Sequence, residues 1–94
     1  MADLTLSDRV VIPESVVFRD LGGETVVLNL ETGLYFGLDE VGTEVWNDLR
    51  GGSTLQQSFD RLRGEYDVPA DTLRSDILRF VNHMASKGLV QPAR

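Results

Sequence analysis

From Glu24 to Leu38 the chain reads Glu-Thr-Val-Val-Leu-Asn-Leu-Glu-Thr-Gly-Leu-Tyr-Phe-Gly-Leu, two runs rich in β-branched and aromatic residues around a Glu31-Thr32-Gly33 corner. This pattern predicts a β-hairpin, with Gly33 supplying the positive φ that such a corner needs. In the first arm Val26, Leu28 and Leu30 alternate with Thr25, Asn29 and Glu31, which assigns Val26, Leu28 and Leu30 to the core. In the second arm Leu34, Phe36 and Leu38 fill one face, and Tyr35 and Gly37 the other. A short strand with Gly and Tyr on its outer face reads as an edge against which another chain can lie.

Upstream, Met1 to Asp8 is small, polar or acidic and is expected to be a flexible N-terminus. Arg9 to Ile12 is apolar up to Pro13, so it is either a short edge strand or an extended lead-in. Ser15 to Leu21 reads as a strand that stops at Gly22-Gly23, giving an antiparallel meander of about three strands. After Leu38 the period changes. Asp39 is a candidate N-cap, and Val41, Val45 and Leu49 recur at helical spacing, with Trp46 beside that stripe and Gly51-Gly52 as the stop. Ser53 or Thr54 caps a second helix, each with a Gln three residues on, and Leu55, Phe59, Leu62 and Tyr66 form its apolar stripe. Pro69 opens a third helix whose stripe is Leu73, Ile77, Phe80, Val81 and Met84, and Lys87-Gly88-Leu89 closes it with Gly88 in the left-handed position. Residues 91–94 read as a tail. No linker or repeat separates the halves, so residues 9–90 form one α+β domain in which sheet and helices share a core.

The chain has 94 residues, enough for a single core, and a formal net charge of −6, which disfavours attraction to nucleic acid or anionic lipid. It contains no cysteine, so disulfides, zinc-thiolate sites and thiol nucleophiles are excluded. No run approaches the ~20 apolar residues that span a bilayer, and the expected location is the cytoplasm. The single histidine, His83, lies beside the third helix's stripe and reads as a solvated surface residue. The glycine pairs lack phosphate-loop spacing, and the carboxylates form no metal-binding pattern, so no cofactor or metal is expected. Asp76, on the rim of the third helix's apolar face, is either a solvated carboxylate or an acceptor for a cationic partner or the N–H of a docked strand. The stripe from Leu73 to Met84 is core by default. If the edge at Leu34 to Leu38 lies beside it, a groove results that suits capture of an extended peptide by strand addition.

A small sheet with three helices is also the parts list of a winged helix-turn-helix, and a nucleic-acid-binding regulator is the alternative reading. Arg74 and Arg79 are offset by Asp71 and Asp76, so the basic footprint of such a regulator is missing. Taken together, Val16-Val17-Phe18-Arg19-Asp20-Leu21, the hairpin Val27 to Asp39, Val45-Trp46, Gly51-Gly52-Ser53-Thr54, Tyr66-Asp67-Val68, Asp76-Ile77 and Lys87-Gly88-Leu89-Val90 resemble the PqqD-like proteins. These are stand-alone recognition elements for precursor peptides that are ribosomally made and then modified. The resemblance spans about residues 10–90, with Asp39 where the family often has Asn. It implies a winged-helix-like fold of three strands followed by three helices. It also implies a non-catalytic protein that binds a leader peptide between the third strand and third helix and delivers it to a leader peptidase or a radical S-adenosylmethionine enzyme, in lasso peptide or pyrroloquinoline quinone biosynthesis. By position it points to Leu34, Tyr35, Phe36 and Gly37 on the strand wall and to Leu73, Asp76, Ile77, Phe80, Val81 and Met84 on the helix wall. A monomer or weak dimer is expected, because an open edge permits self-pairing.

Overall fold

A computed structural model of the protein describes residues 4–22 and 24–93; the expectations for Met1 to Asp3, Gly23 and Arg94 lie outside the described residues. The elements in order are β1 (Val10–Val11), β2 (Val16–Asp20), β3 (Thr25–Asn29), β4 (Tyr35–Leu38), α1 (Glu40–Arg50), α2 (Leu55–Glu65), α3 (Ala70–Ser86) and β5 (Gln91–Pro92). Strands β2, β3 and β4 form the antiparallel meander in that spatial order, and β1 pairs with β5. The three helices pack beneath the meander, giving the α+β architecture of three strands followed by three helices.

The local signals act where the sequence places them. Asp39 caps α1, its carboxylate accepting from Gly42 N–H at 2.7 Å. Of the two candidate caps of α2, Thr54 is used: its hydroxyl accepts from Gln57 N–H at 3.1 Å, and the Gln57 side chain accepts from Thr54 N–H at 2.8 Å, a reciprocal pair that satisfies two otherwise orphaned donors. Gly88 has φ +72°, which lets Leu89 fold back and donate to Met84 O at 3.0 Å. Helices α1 and α2 are clasped by Arg61, which reaches Glu44 at 2.7 Å and Asp48 at 2.9 Å. Ser58, buried between them, donates to Asp48 at 2.7 Å. Trp46, beside the stripe of α1, is a core residue, buried edge-on against Phe18 with ring centroids 6.0 Å apart.

The face of β3 is the reverse of the one its alternation predicts. Thr25, Val27 and Asn29 are buried, Val26 and Leu28 are half-buried, and Leu30 is 61% exposed. Positions 26, 27 and 28 are all apolar, so hydropathy alone allows either face inward, and a slip of one residue exchanges them. The choice is made by Asn29. Its side-chain N–H donates to Gly88 O at 3.1 Å, and its carbonyl oxygen accepts from Glu31 N–H at 2.9 Å and Thr32 N–H at 3.4 Å. A buried amide with partners on both ends is stable. The same amide on the solvent face would leave Gly88 O without it.

The two ends of the chain also depart from expectation. Leu4 is 7% exposed, and its N–H donates to Asn82 Oδ1 at 2.9 Å, so the described part of the N-terminal segment is seated on α3. Residues 91 and 92 are paired rather than free, Val10 opposing Pro92 and Val11 opposing Gln91. Truncating Asn29 to Ala should lower stability by roughly 1 to 3 kcal/mol, the cost of a buried polar group left without its partner. Leu30→Ala should change it by less than about 0.5 kcal/mol. Urea unfolding followed by Trp46 fluorescence measures both, and a larger loss for Leu30→Ala would show that the predicted face, not the observed one, is inward.

Candidate functional site

Strand β4 pairs with β3 along one side and, among the described residues, with nothing along the other. The register decides which backbone groups meet that open side. Asn29 N–H donates to Leu34 O at 2.9 Å, so these two form a hydrogen-bonded pair, and the partners Leu28 and Tyr35, Val27 and Phe36, Val26 and Gly37, Thr25 and Leu38 follow in alternation. In an antiparallel ladder every second pair is hydrogen-bonded. Phe36 and Leu38 therefore bond inward to β3, whereas Tyr35 and Gly37 direct their N–H and C=O groups to the open edge.

The side chains of β4 follow the other alternation. Leu38 is buried and Phe36 half-buried on the helix side, while Tyr35 is 73% exposed on the outer face. The Phe36 ring meets two rings of α3, Phe80 at a centroid distance of 6.4 Å and His83 at 4.9 Å. Between strand and helix lies a cavity of about 240 Å³ lined by Phe36, Gly37, Leu38, Asp39 and Phe80. It shares Asp39 and Phe80 with a second cavity of about 350 Å³, whose apolar wall includes Val41, Val45, Leu73 and Ile77 and whose polar lining includes Tyr66 and Asp76. Tyr66 donates to the Glu40 carboxylate at 3.1 Å. Burial, then that bond and the charge of Glu40, push its phenol above the ordinary tyrosine range, so the hydroxyl keeps its proton.

A glycine sets the spacing at the junction of the two cavities. A Cβ on Gly42 would stand 3.2 Å from Asp39 Oδ1 and 3.3 Å from the Phe80 ring, so the absence of a side chain lets α1 approach α3 without displacing Phe80.

Of the strand residues singled out in the sequence, Phe36 and Gly37 line the groove, Tyr35 offers it backbone, and Leu34 lies just before the strand, 46% exposed. On the helix, Leu73, Asp76, Ile77 and Phe80 line the larger cavity. Val81 and Met84 line neither cavity, being buried to 0% and 1% in the core. The reason is angular. Asp76, Phe80 and His83 succeed one another at steps of four and three and share one stripe, while Val81 and Met84 lie a quarter-turn round, facing the core. His83 is exposed, as read from the sequence, but it stands against Phe36 rather than in open solvent; its spacing from Phe80 and Asp76 was the signal for that position. Gly42, Val41, Val45 and Tyr66 carried no comparable signal, because each looks like ordinary helix packing. Among the described residues no cluster of His, Asp or Glu is arranged to hold a metal ion, and no helix is long and apolar enough to cross a membrane.

Three comparisons bear on this geometry. The family described as coenzyme PQQ synthesis protein D (PqqD) matches residues 24–90. TbiB1, solved in complex with the TbiA(beta) leader peptide, is 37% identical, with a TM-score of 0.80 over 84% of this chain and 92% of that one. A lasso peptide synthetase B1 complexed with the leader peptide has the same fold at 19% identity, with a TM-score of 0.81 over 89% of this chain and 99% of that one. No curated protein matches the sequence. With the family match covering both groove walls and the fold shared with TbiB1 across nearly its full length, this chain belongs to the PqqD family.

Proposed function

We propose that this protein binds the leader segment of a ribosomally synthesised precursor peptide as a strand added to β4, and holds it for a modifying or processing enzyme without itself performing catalysis. The observation that carries the reading is the open edge of β4, where the backbone groups of Tyr35 and Gly37 face a groove whose far wall is α3. Its support from relatives is the 37% identity to TbiB1, a protein solved with a leader peptide. Backbone bonds give such a complex affinity that is tolerant of sequence, and the cavities give it selectivity. The cavity walled by Val45, Leu73, Ile77 and Phe80 would take one bulky apolar side chain of the peptide. Lasso-type chemistry, with a leader peptidase as partner, is one downstream pathway that the family resemblance implies. The family description is in line with pyrroloquinoline quinone chemistry as the other, for which the resemblance implies a radical S-adenosylmethionine enzyme as partner. Leader capture is common to both.

The nucleic-acid alternative finds no supporting observation. Arg74 and Arg79, the cations that α3 would offer, stand 3.1 Å from Asp71 and 4.0 Å from Asp76.

Hydrogen exchange should show the amides of Tyr35 and Gly37 exchanging quickly in the free protein and slowly once its cognate leader peptide is added, with Phe36 and Leu38 protected in both states. Protection appearing elsewhere, with β4 unchanged, would remove β4 as the docking edge. Gly37→Pro deletes an outward N–H without removing a bond to β3. It should weaken peptide binding roughly tenfold, about the net worth of one hydrogen bond, while the urea midpoint stays near that of the parent. Unchanged affinity in a folded variant would count against strand addition.

A further inference from the structure

We infer that the groove is electrically polarised along β4 and selects an extended peptide with a basic residue at the Leu38 end and an acidic residue at the Leu34 end of the paired segment. This rests on the strand-addition reading above and adds to it a rule for which peptides fit. At the Leu38 end, Asp39 follows the strand directly, and Asp39 and Asp76 both border the larger cavity. Glu40 stands beside them, accepting from Tyr66 at 3.1 Å. Arg79, 4.0 Å from Asp76, offsets that carboxylate in part, whereas among the described residues Asp39 and Glu40 form no ion pair.

The opposite end differs in offering a cation, Lys87, on the helix wall. On the stripe of α3 that faces β4, Asp76 and Phe80 are followed by His83, whose ring lies 4.9 Å from that of Phe36, and one turn later by Lys87. The last turn of α3 is held against the turn end of the hairpin, because Gly88 O accepts from the Asn29 side chain at 3.1 Å. Among the described residues Lys87 forms no ion pair; Glu31, in the hairpin turn at the same end, does not reach it.

The two ends act separately. Strand β4 has four residues, so its ends are roughly 10 to 13 Å apart at ~3.3 Å per residue, at or beyond the ~8 Å Debye length of physiological salt. Each flank of a bound peptide therefore senses chiefly the charges at its own end. A strand added antiparallel to β4, continuing the pattern of the sheet, places its basic residue on the N-terminal side and its acidic residue on the C-terminal side.

The test uses two synthetic peptides that share an alternating Val-Tyr-Leu centre, one flanked by Lys-Lys at its N-terminal side and Glu-Glu at its C-terminal side, the other with the flanks exchanged. Fluorescence anisotropy in low-salt buffer should give the Lys-first peptide roughly three- to tenfold tighter binding, the scale of a few exposed charge pairs, and the difference should collapse at high salt. The double variant Asp76→Lys with Lys87→Glu should invert the preference, and Asp76→Asn, a milder change at an exposed site, should reduce it. Equal dissociation constants, with the Tyr35 and Gly37 amides still protected by both peptides, would overturn the polarity and leave strand addition standing. Failure of either peptide to protect those amides would remove strand addition and the polarity with it. A preference unmoved by both variants would overturn the assignment to Asp76 and Lys87.

Discussion

The buried carboxamide of Asn29 is the constraint on which the geometry of this protein depends. It joins three parts of the chain that are remote in sequence or in direction: the end of β3, the backbone of the hairpin turn, and the carbonyl of Gly88 just past α3. Because an unpaired amide is costly to bury, these bonds hold β3 with Val27 and Asn29 inward. The pairing of β3 with β4 then carries that choice outward by one strand. Phe36 and Leu38 bond to β3, and the backbone of Tyr35 and Gly37 is left facing the open edge. A shift of one residue in this ladder would exchange the two sets.

Close approach between elements matters as much as the register. Gly88 lies so near Asn29 that a Cβ there would stand 3.0 Å from the Asn29 side-chain nitrogen, and its φ of +72° is costly for any residue with a side chain. Gly42 performs the matching role at the other end of the groove, between α1 and Phe80. The two glycines thus set the distances of α3 at its C-terminal end and of α1 at its first turn, and the groove is the space left between β4 and the helices so positioned. Arg61 adds rigidity behind this arrangement by tying α1 to α2 through Glu44 and Asp48, although pairs this exposed contribute little each.

Helix α3 divides its surface between two tasks. Leu73, Ile77, Val81 and Met84 are buried in the core, and the adjoining stripe of Asp76, Phe80, His83 and Lys87 borders the groove or continues its line. A strand-addition site needs such a division, since the wall opposite the open edge must be anchored by its own core contacts and still present side chains to a ligand. The stripe also changes sign along its length, acidic at Asp76 and basic at Lys87, so the wall that shapes the groove is also the source of its polarity.

Much of this was decided locally and could be read from the sequence alone: the hairpin around Gly33, the cap at Asp39, the capping box of Thr54 and Gln57, the left-handed Gly88, and the fold class of a small sheet with three helices. Each depends on bonds within a few residues, so composition and spacing suffice. The edge character of β4 was legible for the same reason, from Tyr35 and Gly37 on one face. The inward face of β3 was not, because Val26, Val27 and Leu28 satisfy either alternation and the deciding bond runs from Asn29 to Gly88, 59 residues away. Long-range contacts likewise placed His83 against Phe36, withdrew Val81 and Met84 into the core, seated Leu4 on α3 through Asn82, and paired Gln91 and Pro92 with β1. The sequence by itself determined the three strands of the meander and the three helices. Only the tertiary structure decided which face of each turns inward, because that choice is made by hydrogen bonds and packing between residues that the chain order keeps far apart.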